Sequence, residues 1–197
     1  MARVGILGGT FNPPHIGHLL CAQEARVGLG LDRVVLVPTG TPPHKTVVAD
    51  PGAGVRLALC RAAVAGDPGL SVSPVEVDRA GPSWTVDTLR SLHASAPEHE
   101  LTFIMGGDMA HSFPEWREPS AILELASLGV AERSGVARAE IVERLEPLTP
   151  RVSFFGMPRV DISSSLIRER VAAGLPVRYL VPDGVASLIE SEGLYRA

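Results

Sequence analysis

Along almost the whole chain, short apolar runs alternate with stretches whose apolar residues recur at helical spacing. RVGIL at 3–7, RVVLV at 33–37, LTFIM at 101–105, 128–131 and 152–155 read as strands. They are continuously apolar, which a strand needs when both of its faces are covered. A further strand is expected at 71–77, weakened by Pro74, which has no N–H for a ladder and so belongs near an edge. The helical patterns fall at 15–27 (ended by Gly28 and Gly30), 55–65, 85–95, 119–125 with Pro119 in its first turn, 137–145, 164–173 and 185–192. Strands recurring with a helix between them predict an α/β fold, a doubly wound parallel sheet with right-handed crossovers. Ligands of such sheets bind beyond the C-terminal strand ends, here just after Leu7, Val37, Met105 and Ala131. The polar stretch 39–54, TGTPPHKTVVADPGAG, is long for a connection inside a compact domain, and such loops are usually functional.

The 197 residues suit one domain, 1–197, with a small C-terminal helical portion from about 161. Apolar residues at 45% and charged residues at 20% exclude a disordered chain. A net charge of −4 argues against a broad nucleic-acid-binding surface and leaves room for a local phosphate pocket. Cys21 and Cys60 are too few for a disulfide scaffold or a zinc cluster and fit a reducing, cytoplasmic setting. No apolar run approaches the ~18 residues of a membrane span. No signal-peptide pattern opens the chain.

The candidate chemistry starts after the first strand. Gly8 and Gly9 allow close backbone approach, and the helix that follows offers free N–H groups and the positive end of its dipole to a phosphate. The segment matches neither the P-loop nor G-x-G-x-x-G. His15 and His18 are three apart and share a helix face, and Gly17 between them leaves space for something to approach. Two imidazoles there can donate to phosphoryl oxygens and stabilise charge in a displacement. The plainer alternative is a pair of helix-start histidines; a metal site lacks a third ligand nearby. Ser163, Ser164 and Ser165 open a second helix, where serine is an ordinary N-cap and where spare hydroxyls also suit a triphosphate. Arg168 follows Ser164 by one turn. Lys45 lies in the long loop after Pro42, Pro43 and His44, either as a solvated charge or as a cation closing over a leaving group. Asp108 after Gly106 and Gly107 is a turn residue or an acceptor for a ribose hydroxyl. Trp84 and Trp116 lie near turns, as packing or as faces for a flat ring. Asp87 and Arg90 cap and decorate their helix.

GGTFNPPHIGH resembles the T/HxGH signature of the nucleotidyltransferase superfamily, and the order HxGH then ISSSLIR is specific for it. PPHK, SWTVDTL, IMGGD, PEW, DISSSLIRER and YLVPDGVASLIESEGLY extend the likeness over most of the chain, toward the bacterial nicotinate-nucleotide adenylyltransferases. Asn12 stands where that family often has Asp, Trp84 where Tyr is common, Gly107 where Ala is common, and Ser134 where Pro is frequent. The resemblance implies a Rossmann-like nucleotidyltransferase fold and adenylyl transfer from ATP to nicotinate mononucleotide in NAD biosynthesis. It implies His15, His18, Lys45 and Arg168 as catalytic residues. ATP would be bound by Gly8, Gly9, Thr10, Phe11, His18, Asp108, Ser163, Ser164, Ser165 and Arg168, with Mg²⁺ carried on its phosphates. Asn12, Lys45, Trp84, Thr85, Trp116 and Arg133 would take nicotinate mononucleotide, Trp116 stacking on the pyridine ring and Thr85 meeting the carboxylate. The partners implied are these two nucleotides, with no nucleic acid and no membrane, and with room for a homo-oligomer. Competing readings keep the chemistry with nicotinamide mononucleotide or phosphopantetheine as acceptor, or make the chain a non-catalytic nucleotide-binding module.

Overall fold

The computed structural model describes residues 1–43, 46–132, 137–148 and 151–196. Six parallel strands form the sheet: β1 (Arg3–Gly9), β2 (Arg33–Pro38), β3 (Leu70–Val72), β4 (Glu100–Gly106), β5 (Ala126–Glu132) and β6 (Val152–Gly156). Their order is β3-β2-β1-β4-β5-β6. The chain winds outward from β1 in one direction, then returns to its other side with β4, so the crossovers diverge between β1 and β4. That divergence opens a crevice at the C-terminal edge of the sheet. Gly9 pairs with Pro38 and Leu7 with Ile104, so three strand ends meet the crevice at one level.

Alternate residues of each central strand enter different cores, as a two-faced sheet requires. Phe103 and Met105 pack on one face with Val86, Leu89 and Ile122. Ile104 packs on the other with Ala22, Ala25 and Leu36. The helices are α1 (Ile16–Gly28), α2 (Ala53–Ala63), α3 (Thr85–Ser95), α4 (Gly107–Ser112), α5 (Pro119–Leu125), α6 (Arg138–Leu145), α7 (Ser164–Ala172) and α8 (Asp183–Ser191). Leu59 and Ala63 of α2 form a third cluster with Ile167 of α7 and Val185 and Ile189 of α8, which holds the C-terminal helices against the sheet domain. Each of these Leu, Ile and Val side chains contributes about 1.5–3 kcal/mol by leaving water.

Two expected elements differ. The strand expected at 71–77 is only Leu70–Val72, an edge strand that stops two residues before Pro74. Asp108, expected in a turn, lies in the first turn of α4, a six-residue helix too short to leave a periodic signature.

Candidate active site

The turn between β1 and α1 is built inward rather than outward. Phe11 takes a left-handed backbone (φ 50°), and its ring is buried at 2% exposure. A side chain on Gly9 would come within 3.0 Å of that ring, so Gly9 is bare to admit Phe11. Gly8 is exposed on the strand end. Asn12, at 3% exposure, is enclosed by the chain itself: its Nδ2 donates to the carbonyls of Val48 (3.0 Å) and Ala49 (3.4 Å), and its Oδ1 accepts from the Tyr195 hydroxyl (2.8 Å). The side chains of Phe11 and Asn12 thus both have partners within the chain.

The two histidines are brought together, but unequally. Their rings stack with centroids 3.7 Å apart, and His18 also meets the Phe11 ring edge-on at 4.9 Å. His15 caps α1 from an extended backbone and is 7% exposed. Burial pulls its pKa down to about 4, so it is neutral near pH 7. His18 is half-buried. Its Nδ1 accepts the His15 N–H at 3.2 Å, which places the ring proton on Nε2. The space beside Gly17 is filled from within: a Cβ there would stand 3.1 Å from the His15 ring. The Ile16 amide, one of the helix-start donors, is taken by the Leu180 carbonyl at 3.0 Å.

The second helix start docks onto this turn. Ser164 Oγ donates to the Pro13 carbonyl (2.8 Å), and Arg168 Nη1 donates to the Asn12 carbonyl (2.7 Å). Ser163 serves as the N-cap of α7, accepting from Leu166 N. Arg168 Nη2 also reaches Ser165 Oγ, three residues back, at 3.1 Å. Ser165 is exposed beside it. Thr10 is half-buried, and its carbonyl accepts from Arg56 at 3.0 Å. Asp108 is exposed at the end of β4. Lys45 and Arg133 lie outside the described residues.

On the other side of the crevice, Trp84 caps α3 and Thr85 begins it. The Arg117 guanidinium lies 5.1 Å from the Trp84 ring centre. Trp116 is half-buried, edge-on to Phe103 of β4 (5.8 Å) and tilted on Phe113 (5.4 Å), with Nε1 donating to Ser112 Oγ at 3.4 Å. A buried network holds the start of α3 from behind. Ser83 Oγ accepts from Gly40 N (3.1 Å) and Thr41 N (3.2 Å), and Thr88 Oγ1 donates to Glu76 (2.7 Å). Burial raises the Glu76 pKa, opposed first by the hydrogen bonds from Thr88 and Ser83. Sequence reasoning missed Glu76 and Arg56; the only signal was a charge on an otherwise apolar helix face, as at Arg56 in GVRLALC. Asp87 and Arg90 decorate the outer side of their helix, where they pair with each other, and Arg90 also reaches Glu118 at 2.7 Å. Burial pushes the Cys60 thiol up to about 12, against the pull of Arg56, which makes it inert as a nucleophile. Among the described residues no three His, Cys, Asp or Glu side chains stand together as a metal cage. No described helix is long and apolar enough to cross a membrane.

A cytidylyltransferase-like family model matches residues 6–170. Curated relatives named as nicotinate-nucleotide adenylyltransferases match along the whole chain. That of Roseiflexus sp. (strain RS-1) is 45% identical over 99% of this chain and 98% of its own. That of Herpetosiphon aurantiacus is 43% identical over the full length of both. The Plasmodium falciparum nicotinic acid mononucleotide adenylyltransferase, solved in complex with NaAD, superposes with a TM-score of 0.78 at 15% identity, covering 99% of this chain and 98% of that one. A second structure of the same protein, complexed with APC, gives 0.77. At that identity the two structures bear on the fold, which is the Rossmann-like nucleotidyltransferase fold.

Proposed function

The chain belongs to the nicotinate-nucleotide adenylyltransferases within the cytidylyltransferase-like family, and from that premise we propose how its residues carry the reaction. It transfers the adenylyl group of ATP to nicotinate mononucleotide, giving nicotinate adenine dinucleotide and pyrophosphate, a step of NAD biosynthesis. The observation that carries the residue assignment is the docking of α7 on the opening turn through Ser164–Pro13 and Arg168–Asn12. It unites two phosphate-suited helix starts, 151 residues apart in sequence, beside the diverging strands.

The acceptor phosphate is already an anion, so no protein nucleophile is required, and catalysis consists of positioning and charge stabilisation. The acceptor oxygen attacks the α-phosphorus in line as the bond to the pyrophosphate oxygen breaks, and the electron pair leaves on pyrophosphate. His18 Nε2–H donates to the α-phosphoryl oxygens. His15, neutral and buried, sets the His18 ring by stacking and through its own backbone N–H. Exposed Gly8 lets the phosphates approach the strand end. Arg168 and Lys45 take up charge on the departing pyrophosphate, with Ser165 beside Arg168. No cage of three ligating side chains stands among the described residues to hold Mg²⁺, so it would enter with ATP, where it would lessen the phosphate charge. Asp108 meets the adenosine ribose. Trp116 offers the pyridine ring its face, and Thr85 with the first N–H groups of α3 receives the nicotinate carboxylate, a charge nicotinamide lacks. Arg133 contributes to the acceptor phosphate.

The test is pyrophosphate release from ATP and Mg²⁺ with nicotinate mononucleotide, nicotinamide mononucleotide or phosphopantetheine. Release is expected with the first acceptor and far less with the others. ATP binding without release for any acceptor would overturn the reading.

A further inference from the structure

We infer that Arg56 is a positioning residue for this reaction, clamping both limbs of the 39–50 segment to the turn that bears the histidines. The inference rests on the function proposed above. Arg56 is among the largest fully buried side chains, at 1% exposure on α2. A buried guanidinium is tolerable only when its donors are satisfied. Here the donors are satisfied by three separate pieces of chain. Nη1 donates to the Thr10 and Thr39 carbonyls, Nη2 to the Gly40 carbonyl at 3.0 Å, and Nε to Asp50 Oδ1 at 2.9 Å. Thr10 belongs to the opening turn, Thr39 and Gly40 to the near limb of the segment, and Asp50 to its far limb.

Neighbouring bonds converge on the same arrangement. Ser83 fixes Gly40 and Thr41 of the near limb, while Asn12 holds Val48 and Ala49 of the far limb. Asp50 also accepts from Gly52 N at 3.0 Å, at the start of α2. Gly40 lies so close to Glu76 that a Cβ would stand 2.2 Å from its carbonyl oxygen, so the near limb has no slack. The two limbs are thereby held at fixed points, and Arg56 alone bonds to both limbs and to Thr10 within the described contacts. A lysine has one ammonium and no planar fork, so it cannot reproduce the four bonds.

The experiment compares Arg56→Lys and Asp50→Ala with the wild type by thermal midpoint, by kcat and KM for both nucleotides per folded molecule, and by the rate of trypsin cleavage after Lys45. Asp50 is 30% exposed, so its variant is expected to fold. A clamp predicts that kcat falls on the order of tenfold to a hundredfold in Arg56→Lys, with KM changed a few-fold at most, because misplacement by about 1 Å has that cost. Asp50→Ala shows a smaller fall and faster cleavage after Lys45 than the wild type. Folded variants with kcat within twofold of wild type and unchanged cleavage overturn the inference, and if Arg56→Lys does not fold, Asp50→Ala decides alone. A wild-type chain that releases no pyrophosphate with nicotinate mononucleotide refutes the function instead, and the cleavage rates of folded Asp50→Ala still judge the clamp.

Discussion

At the scale of residues, the function proposed above makes the histidine pair a support and a donor rather than two equal hands. His18→Ala is expected to lower turnover by two orders of magnitude or more while far-UV circular dichroism and the thermal midpoint stay near wild type. His15 carries a different signature. Its folded pKa is about 4 against an ordinary 6.5, so the folded state resists protonation. The stability it allows is fully present above pH 6.5 and is lost as pH falls toward 4, at up to about 1.4 kcal/mol per pH unit. Urea denaturation at pH 7, 5.5 and 4.5 checks this, and His15→Asn should flatten that part of the profile. The spacing of the two histidines was legible in the sequence; their inequality was not, because i,i+3 spacing gives a shared face and says nothing of how deeply each ring sits. The bareness of Gly17 also makes room for the His15 imidazole, which its place in the sequence did not show.

At the scale of elements, α7 is the piece that completes the opening turn, and its serines divide the labour. Ser163 caps the helix, so the ordinary N-cap reading holds for it. Ser164 ties the helix to Pro13. Ser164→Ala should cost about 1 kcal/mol of stability and lower kcat several-fold, measured by denaturation and pyrophosphate release on the same preparation. On the acceptor side, Gly40→Ala pushes a methyl group against the Glu76 carbonyl and should destabilise by about 3 kcal/mol, read as a lowered thermal midpoint. Elements with long apolar periodicity were legible within a residue or two, as for 85–95 and 119–125. The 71–77 strand was overcalled because its apolar residues continue past the point where Pro74 ends pairing. The helix at 107–112 was missed because glycines and polar residues read as a turn at that length.

At the scale of the whole molecule, sheet class and the C-terminal edge where the crossovers diverge followed from alternating strands and helices, and handedness then left few topologies. The polar cluster of Arg56, Asp50, Asn12 and Tyr195 did not follow, because no periodicity relates residues that meet only through the tertiary fold. Tyr195→Phe tests its reach: loss of the 2.8 Å bond to Asn12 should cost about 1 kcal/mol, and the Asn12→Ala background should erase most of that difference in a double-mutant cycle. The same bond spans 183 positions, and Arg168 meets the Asn12 carbonyl across 156. During synthesis at about 5–20 residues per second, the histidine turn is made roughly 10–35 s before Tyr195. A nascent chain stalled before its α7 and Tyr195 emerge therefore holds every opening motif yet lacks the braces that shape it, so polypeptides released early should be inert even when the sheet has already formed.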